Sequence, residues 1–215
     1  MAALRRGLEL LETAVGYSLD GTGLVRPALL SRPTPCPGWD VRALLAHLAD
    51  SMAVLRDSLA EPRPAAASGL AAASGLAAAA VAGAGPAAEA PAAAVLPGPL
   101  ADPAGLLQRR AVRLLEAVAA SGPGDQQVAV GGRELAASMV AVTGALEIAV
   151  HGWDVAAACG RPRPIPAGLA VVLLPVAHLF VPTATRPGLF AGPVPVPATV
   201  CPGDQLVAFL GRRPR

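Results

Sequence analysis

The stretch EIAVHGWD, residues 147–154, decides how the chain is read. Glu147 and His151 are four residues apart in a long run without proline, so in a helix their side chains leave one face a turn apart. Two donors presented in this way can share one metal ion. They leave most of its coordination sphere empty, so a third donor has to come from another element. The stretch TPCPGWDVRALLAHL, residues 34–48, supplies His47, in the only other long and clearly started helix pattern that carries a histidine.

Each of these residues also has an ordinary reading. A lone histidine on an apolar helix face is most often a satisfied core or boundary residue. Glu147 by itself reads as a surface carboxylate or as the partner of an arginine such as Arg42. The conjunction favours the metal. Glu147 sits among Leu146, Ile148 and Val150, with no basic residue between Arg133 and Arg161. A carboxylate buried in such a segment needs a compensating cation, and a divalent metal is one. Two histidines, one carboxylate and a fourth position left to water form the donor set of a catalytic zinc site. Nickel, iron and manganese suit the same donors.

Other chemistry-bearing residues are read more plainly. Asp50 and Asp154 each follow a candidate histidine by one turn; a surface charge or a hydrogen bond to a loop stands slightly ahead of a role in orienting the ring. His178, in LLPVAHLF, reads as a core or end-of-helix residue. Cys36 has no base among its sequence neighbours, so packing is preferred over nucleophilic chemistry. Trp39 and Trp153 read as anchors of helix ends in the core.

Around these stretches the pattern is helical. Leu4, Leu8, Leu11 and Val15 predict a first helix over about residues 3–18, ended by Gly21 and Gly23. Prolines 27, 33, 35 and 37 make the next segment a fixed loop. Asp40 caps a second helix that runs to about residue 59. From about 61 to 103 an alanine-, glycine- and proline-rich insertion, with the near-repeat SGLAAASGLAAAA, has too little large apolar surface to offset chain entropy and is expected to be flexible. Asp102 and Pro103 start a third helix that ends near Ser121. QQVAVGG reads as a short extended segment. A fourth helix is predicted over about 133–159, stopped by Gly160. A fifth, over about 167–180, is almost wholly apolar and is expected to be buried. The tail reads as proline-punctuated coil wrapping the bundle, with DQLVAFLG as a last turn or two of helix. The expected fold class is all-α: one domain over residues 1–215, a four-helix bundle with an additional C-terminal helix and a proline-rich tail.

Composition bounds the function. The chain is 53% hydrophobic, much of it alanine, and 3% aromatic. All 17 basic residues are arginine, the net charge is +2, and the arginines are scattered, which leaves no electrostatic footprint for nucleic acid. Glu9 and Glu12 fall where a signal peptide needs an apolar core. Cys36, Cys159 and Cys201 are odd in number and without paired spacing, which fits a reducing cytoplasm. The long uncharged run at 64–88 is alanine, too weakly apolar to hold a membrane span. A homodimer through bundle faces is compatible with the pattern, and no feature demands it.

The two stretches also carry a family resemblance. PTPCPGWDVRALLAHLAD resembles the opening signature of the actinobacterial relatives of mycothiol-dependent maleylpyruvate isomerase, within the wider DinB/YfiT-like metal-binding superfamily. EIAVHGWDVAAACG is similar to their second signature, and the ending RPGLFAGPVPVPATVCPGDQLVAFLGRRP looks like that of a subgroup described only as metal-binding. The resemblance implies a DinB-like four-helix bundle whose divalent metal is held by a histidine of the second helix and a Glu-x-x-x-His pair of a later one, here His47, Glu147 and His151. It also implies a small-molecule thiol, mycothiol, as cosubstrate and an electrophile as substrate, in an S-transferase or isomerase reaction. The isomerases carry a further C-terminal domain for which 215 residues leave no room, so maleylpyruvate isomerisation itself is not the expected reaction. Two alternatives stand beside thiol chemistry: a hydrolase using metal-bound water, and a non-enzymatic metal-binding or partner-binding bundle.

Overall fold

A computed structural model describes residues 2–60, 102–122, 126–130, 133–182, 186 and 190–214. Four helices make the bundle: α1 (Ala2–Thr22), α2 (Val41–Ala60), α3 (Pro103–Ala120) and α4 (Ala137–Ala158). Helix α1 packs against α4 and α3, and α2 against α3 and α4, which closes the bundle. Leucines dominate its centre: Leu11, Leu44, Leu45, Leu48, Leu107, Leu114 and Leu146 are fully buried with Met52 and Ile148. The expected starts of α2 and α3 hold. Asp40 accepts from the Ala43 N–H and Asp102 from the Gly105 N–H, both at 2.8 Å, and each bond satisfies a donor that the first helical turn leaves over. The expected insertion lies outside the described residues up to its last two, Asp102 and Pro103.

Helices α1 and α4 run parallel and unusually close, because small residues line both. A methyl group at Gly7 would meet the Ser138 carbonyl at 2.9 Å, one at Gly21 the Gly152 carbonyl at 3.2 Å, and one at Gly152 the Ser18 Cα at 2.9 Å. This seam corrects the expected end of the first helix. Gly21 does not break α1 but lets its last turn lie against α4. On its other side α4 meets α2, which runs antiparallel to it, with Leu55 seated over Gly144. Helix α4 is long and apolar enough to cross a membrane. That apolarity follows from its place in the bundle, since a helix packed on all sides is hydrophobic all round.

The expected start of the fourth helix is also corrected. Residues Arg133–Ala136 form strand β2, antiparallel to β1 (Gln127–Val130), with Val128 opposite Leu135. Both of those side chains are buried, and a helix beginning at Arg133 would have cost the pair its contact. Helix α4 ends as expected, at Gly160, whose φ of +76° suits glycine alone.

Helix α5 (Ala167–Phe180) covers the outside of the bundle, packing on α6 (Pro202–Phe209) and more lightly on α4. Its expected burial is only half met. Leu169, Leu173, Ala177 and Phe180 face inward, whereas Val171 is 59% and Leu179 52% exposed. An all-apolar helix does not specify which face it buries, and here, among the described residues, only one face has a neighbour. The tail does return along the bundle as expected: Arg186 donates to the carbonyls of Ala191 and Phe209, and Val194 N–H donates to Ala208. His178 sits in the last turn of α5, exposed, its Nδ1–H donating to the Leu174 carbonyl and its ring stacked on Phe209, in accord with an end-of-helix role.

The glycine seam yields a paired test. Gly152→Ala should destabilise the fold by about 1–3 kcal/mol, because the clash is with backbone of α1 and cannot be relieved by a rotamer. Gly16→Ala, exposed on α1 with open space around it, should instead stabilise by up to about 1 kcal/mol through helix propensity. Urea unfolding of the two variants beside the parent measures both.

Candidate metal centre

The three candidate donors come together where α2 crosses α4. His47 Nε2 lies 3.3 Å from Glu147 Oε1, and the His47 and His151 rings stand edge to face with centroids 5.2 Å apart. The helical spacing puts Glu147 and His151 on the face of α4 that meets α2, as the sequence predicts. Glu147 and His151 are buried, while the His47 side chain keeps 20% of its surface. The opening is therefore on the α2 side. Trp39 stands there, its ring edge-on to His47 at 4.8 Å. The expectation that Trp39 is only a helix anchor is too narrow: it walls the mouth of the group. Trp153 is buried in the core as expected.

His47 Nε2 and Glu147 Oε1 are both buried, and among the described residues neither has a hydrogen-bond partner. They are close enough to attract each other and out of line for a bond. Burial alone would raise the Glu147 carboxyl; His47 beside it, then Ser51 and His151, outweigh burial and hold it below its ordinary value. Two buried, unbonded donor atoms aimed into one space fit a cation held between them. The residues present therefore suit the metal that the donor set implies.

Behind His151 lies a second group. Its Nδ1 is 3.1 Å from Asp154 Oδ2, and a carboxylate only accepts, so Nδ1 carries the proton and Nε2 is the acceptor nitrogen of the ring. Asp154 is fully buried. Of its preferred reading, the surface charge is overturned and the hydrogen bond to a loop is met by the Cys36 thiol; its bond to His151 is in addition the geometry of an orienting partner. Asp50, in contrast, is exposed, as the plain reading holds. Arg212 grips Asp154 with two parallel bonds, Nε to Oδ1 at 3.2 Å and a terminal nitrogen to Oδ2 at 2.8 Å. Burial would raise the Asp154 carboxyl; Arg212 and His151 overcome this and hold it well below the usual carboxylate range.

Cys36 completes this second group. The loop that carries it is pinned by Thr34, which bonds Cys36 and Trp39 backbone, and by a turn at Gly38 with φ of +80°. The Cys36 thiol donates to Asp154 Oδ2 at 3.3 Å, receives a bond from Arg212, and lies 3.7 Å from His151 Nδ1. Packing describes it incompletely. It is buried as expected, but against polar partners that sequence proximity does not reveal. Burial and then the Asp154 charge push the thiol well above its ordinary range, so it stays protonated and unreactive.

Donor atoms of Cys36, His151 and Asp154 lie within 4.8 Å of one another, a spacing a metal ion could use. The guanidinium of Arg212 already supplies the positive charge there, bonded to both Cys36 and Asp154, and a second cation would have to displace it. Of the two groups, the His47 side is the one whose carboxylate has no guanidinium among the described residues.

A family comparison decides the lineage, matching residues 11–156 with the mycothiol maleylpyruvate isomerase N-terminal domain. The chain belongs to that family. The matched span takes in Cys36, His47, Glu147, His151 and Asp154 and stops short of Arg212. Uncharacterized proteins from two strains of Mycobacterium tuberculosis are each 42% identical over 71 residues, covering 32% of this chain. The match spans 39% of the length of each of these relatives. No solved structure matches.

The buried thiol gives this family member a direct test. With iodoacetamide under native conditions Cys159 and Cys201, both partly exposed, should be alkylated and Cys36 should not. In denaturant all three should react. Mass spectrometry of peptides from both samples checks this, and native labelling of Cys36 would contradict the described burial.

Proposed function

We propose that the chain binds a divalent metal, zinc by its donor types, on His47, Glu147 and His151, and uses it to activate a low-molecular-weight thiol, mycothiol first, for transfer to a small electrophile in the cytoplasm. The observation that carries this reading is the pair of buried, unbonded donor atoms, His47 Nε2 and Glu147 Oε1, beside a histidine whose ring is oriented from behind. Family membership points to mycothiol chemistry.

The chain's own residues divide the work. Glu147 offsets the charge of a cation in a buried place, and His151, whose ring lies edge to face with that of His47, is held by Asp154 through Nδ1. His47, on the partly open side, and Trp39 next to it frame the route for a thiol and its electrophile. A bound divalent metal supplies a Lewis acid that lowers the pKa of a coordinated thiol and makes thiolate available near neutral pH. The transfer then breaks the S–H bond, with the proton passing to solvent, and forms a bond from sulfur to the electrophilic carbon, while a leaving group departs from that carbon with its electron pair or, in an addition, the π pair moves to the neighbouring atom and is protonated by solvent. Cys36 takes no part as nucleophile, since its surroundings keep it a thiol.

The test begins with elemental analysis of untagged protein. The parent should retain near-stoichiometric metal, and His47→Ala and Glu147→Ala should each lose it. Cobalt-substituted parent should then show a thiolate-to-metal charge-transfer band on addition of mycothiol. No metal in the parent after reconstitution would overturn the reading, and turnover of electrophilic esters without any thiol would replace it with hydrolysis.

A further inference from the structure

The segment after α6 turns back into the bundle at Gly211, where φ is +85°. The turn is held by Gly211 N–H to Ala208 and Arg212 N–H to Val207, at 3.0 and 2.9 Å. A side chain at 211 would strike Ala191, whose Cβ and carbonyl oxygen lie at 2.9 Å. Backbone conformation and packing therefore fix the same turn, and they send the Arg212 side chain inward until it is 6% exposed. There it spends its donors on Asp154, on Cys36 and on the Leu210 carbonyl.

We propose that Arg212 is a positioning residue of the metal centre: through Asp154 it fixes the tautomer and ring plane of His151, so that docking of the C-terminal segment and completion of the centre are one coupled event. This rests on the reading of His47, Glu147 and His151 as ligands. Asp154 Oδ2 is shared by His151 Nδ1, the Cys36 thiol and the Arg212 guanidinium, while Oδ1 is, among the described residues, taken by Arg212 alone. A two-point grip leaves the carboxylate one orientation, and that orientation sets the line along which His151 donates. Without the guanidinium the carboxylate is a buried charge with only a thiol and an imidazole beside it, free to swing away from His151 or to admit water. Outer partners of this kind are worth roughly 10–100-fold in metal affinity.

Coupling is reciprocal, so a metal that favours the docked segment must also protect it. The experiment uses the full chain, as the parent, Arg212→Lys and Arg212→Met. In metal-free protein with 15N-labelled histidine, the parent should show His151 as the Nδ1–H tautomer. Arg212→Met should mix the tautomers, and Arg212→Lys should restore part of the parent pattern. Zinc affinity, from competition with a chromophoric chelator, should fall roughly 10–100-fold in Arg212→Met and recover partly in Arg212→Lys. A folded Arg212→Met with the parent's tautomer and affinity overturns the proposal. Should Arg212→Met not fold, hydrogen exchange on the parent decides: zinc should slow the Gly211 and Arg212 amides more than those of α5, and an equal effect on both overturns the coupling. A parent that binds no zinc defeats the ligand reading alone, because the tautomer comparison is made without metal.

Discussion

A carboxylate inside an apolar helix, with no arginine beside it among the described residues, is the constraint on which the rest of this structure depends. Glu147 is placed by α4 among leucine, isoleucine and valine, and burial of its charge is tolerable only if something opposite compensates. The bundle answers with α2, which brings His47 to within 3.3 Å. That crossing is close because Leu55 seats over Gly144 on one side, and because α1, on the other, approaches through glycines and leaves α4 no room to shift. The packing of small residues thus acts on the chemistry: it fixes the separation of the helices that carry the donors.

Helix α4 carries two carboxylates seven residues apart, hence on one face, and His151 stands between them. Their surroundings differ. Asp154 is matched by a guanidinium and held deep in its ionised form, whereas Glu147 is matched by the imidazoles of the two histidines proposed as metal ligands. One carboxylate is settled within the protein, and the other is left able to take a cation. The pairing also assigns the cysteine. Cys36 belongs to the settled side, where burial and then the charge of Asp154 suppress its thiolate.

Much of this was legible in the sequence, because it is local. Helical spacing placed α1, α2, α3 and α5, the capping aspartates placed two of their starts, and the i, i+4 relation of Glu147 and His151 needed only that α4 be a helix. What failed was decided by tertiary contacts. Residues 133–136 carry no local signal against helix, and only the pairing of Leu135 with Val128 makes them a strand. Gly21 reads as a breaker until α4 is seen against it. The exposure of Val171 and Leu179 depends on which neighbours α5 has. Asp154 could not be told from a surface aspartate, because its partner, Arg212, is 58 residues away and one of several arginines in the GRRPR ending. The one available hint was chemical: α4 has two acidic side chains and no arginine of its own.

The account stands or falls on which of two adjacent groups takes the metal. X-ray absorption at the zinc edge of the loaded protein, before any thiol is added, separates them directly. The account predicts a first shell of nitrogen and oxygen at about 2.0–2.2 Å with imidazole scattering from two histidines. A sulfur scatterer at about 2.3 Å would put the ion on Cys36, beside His151 and Asp154, and would contradict it.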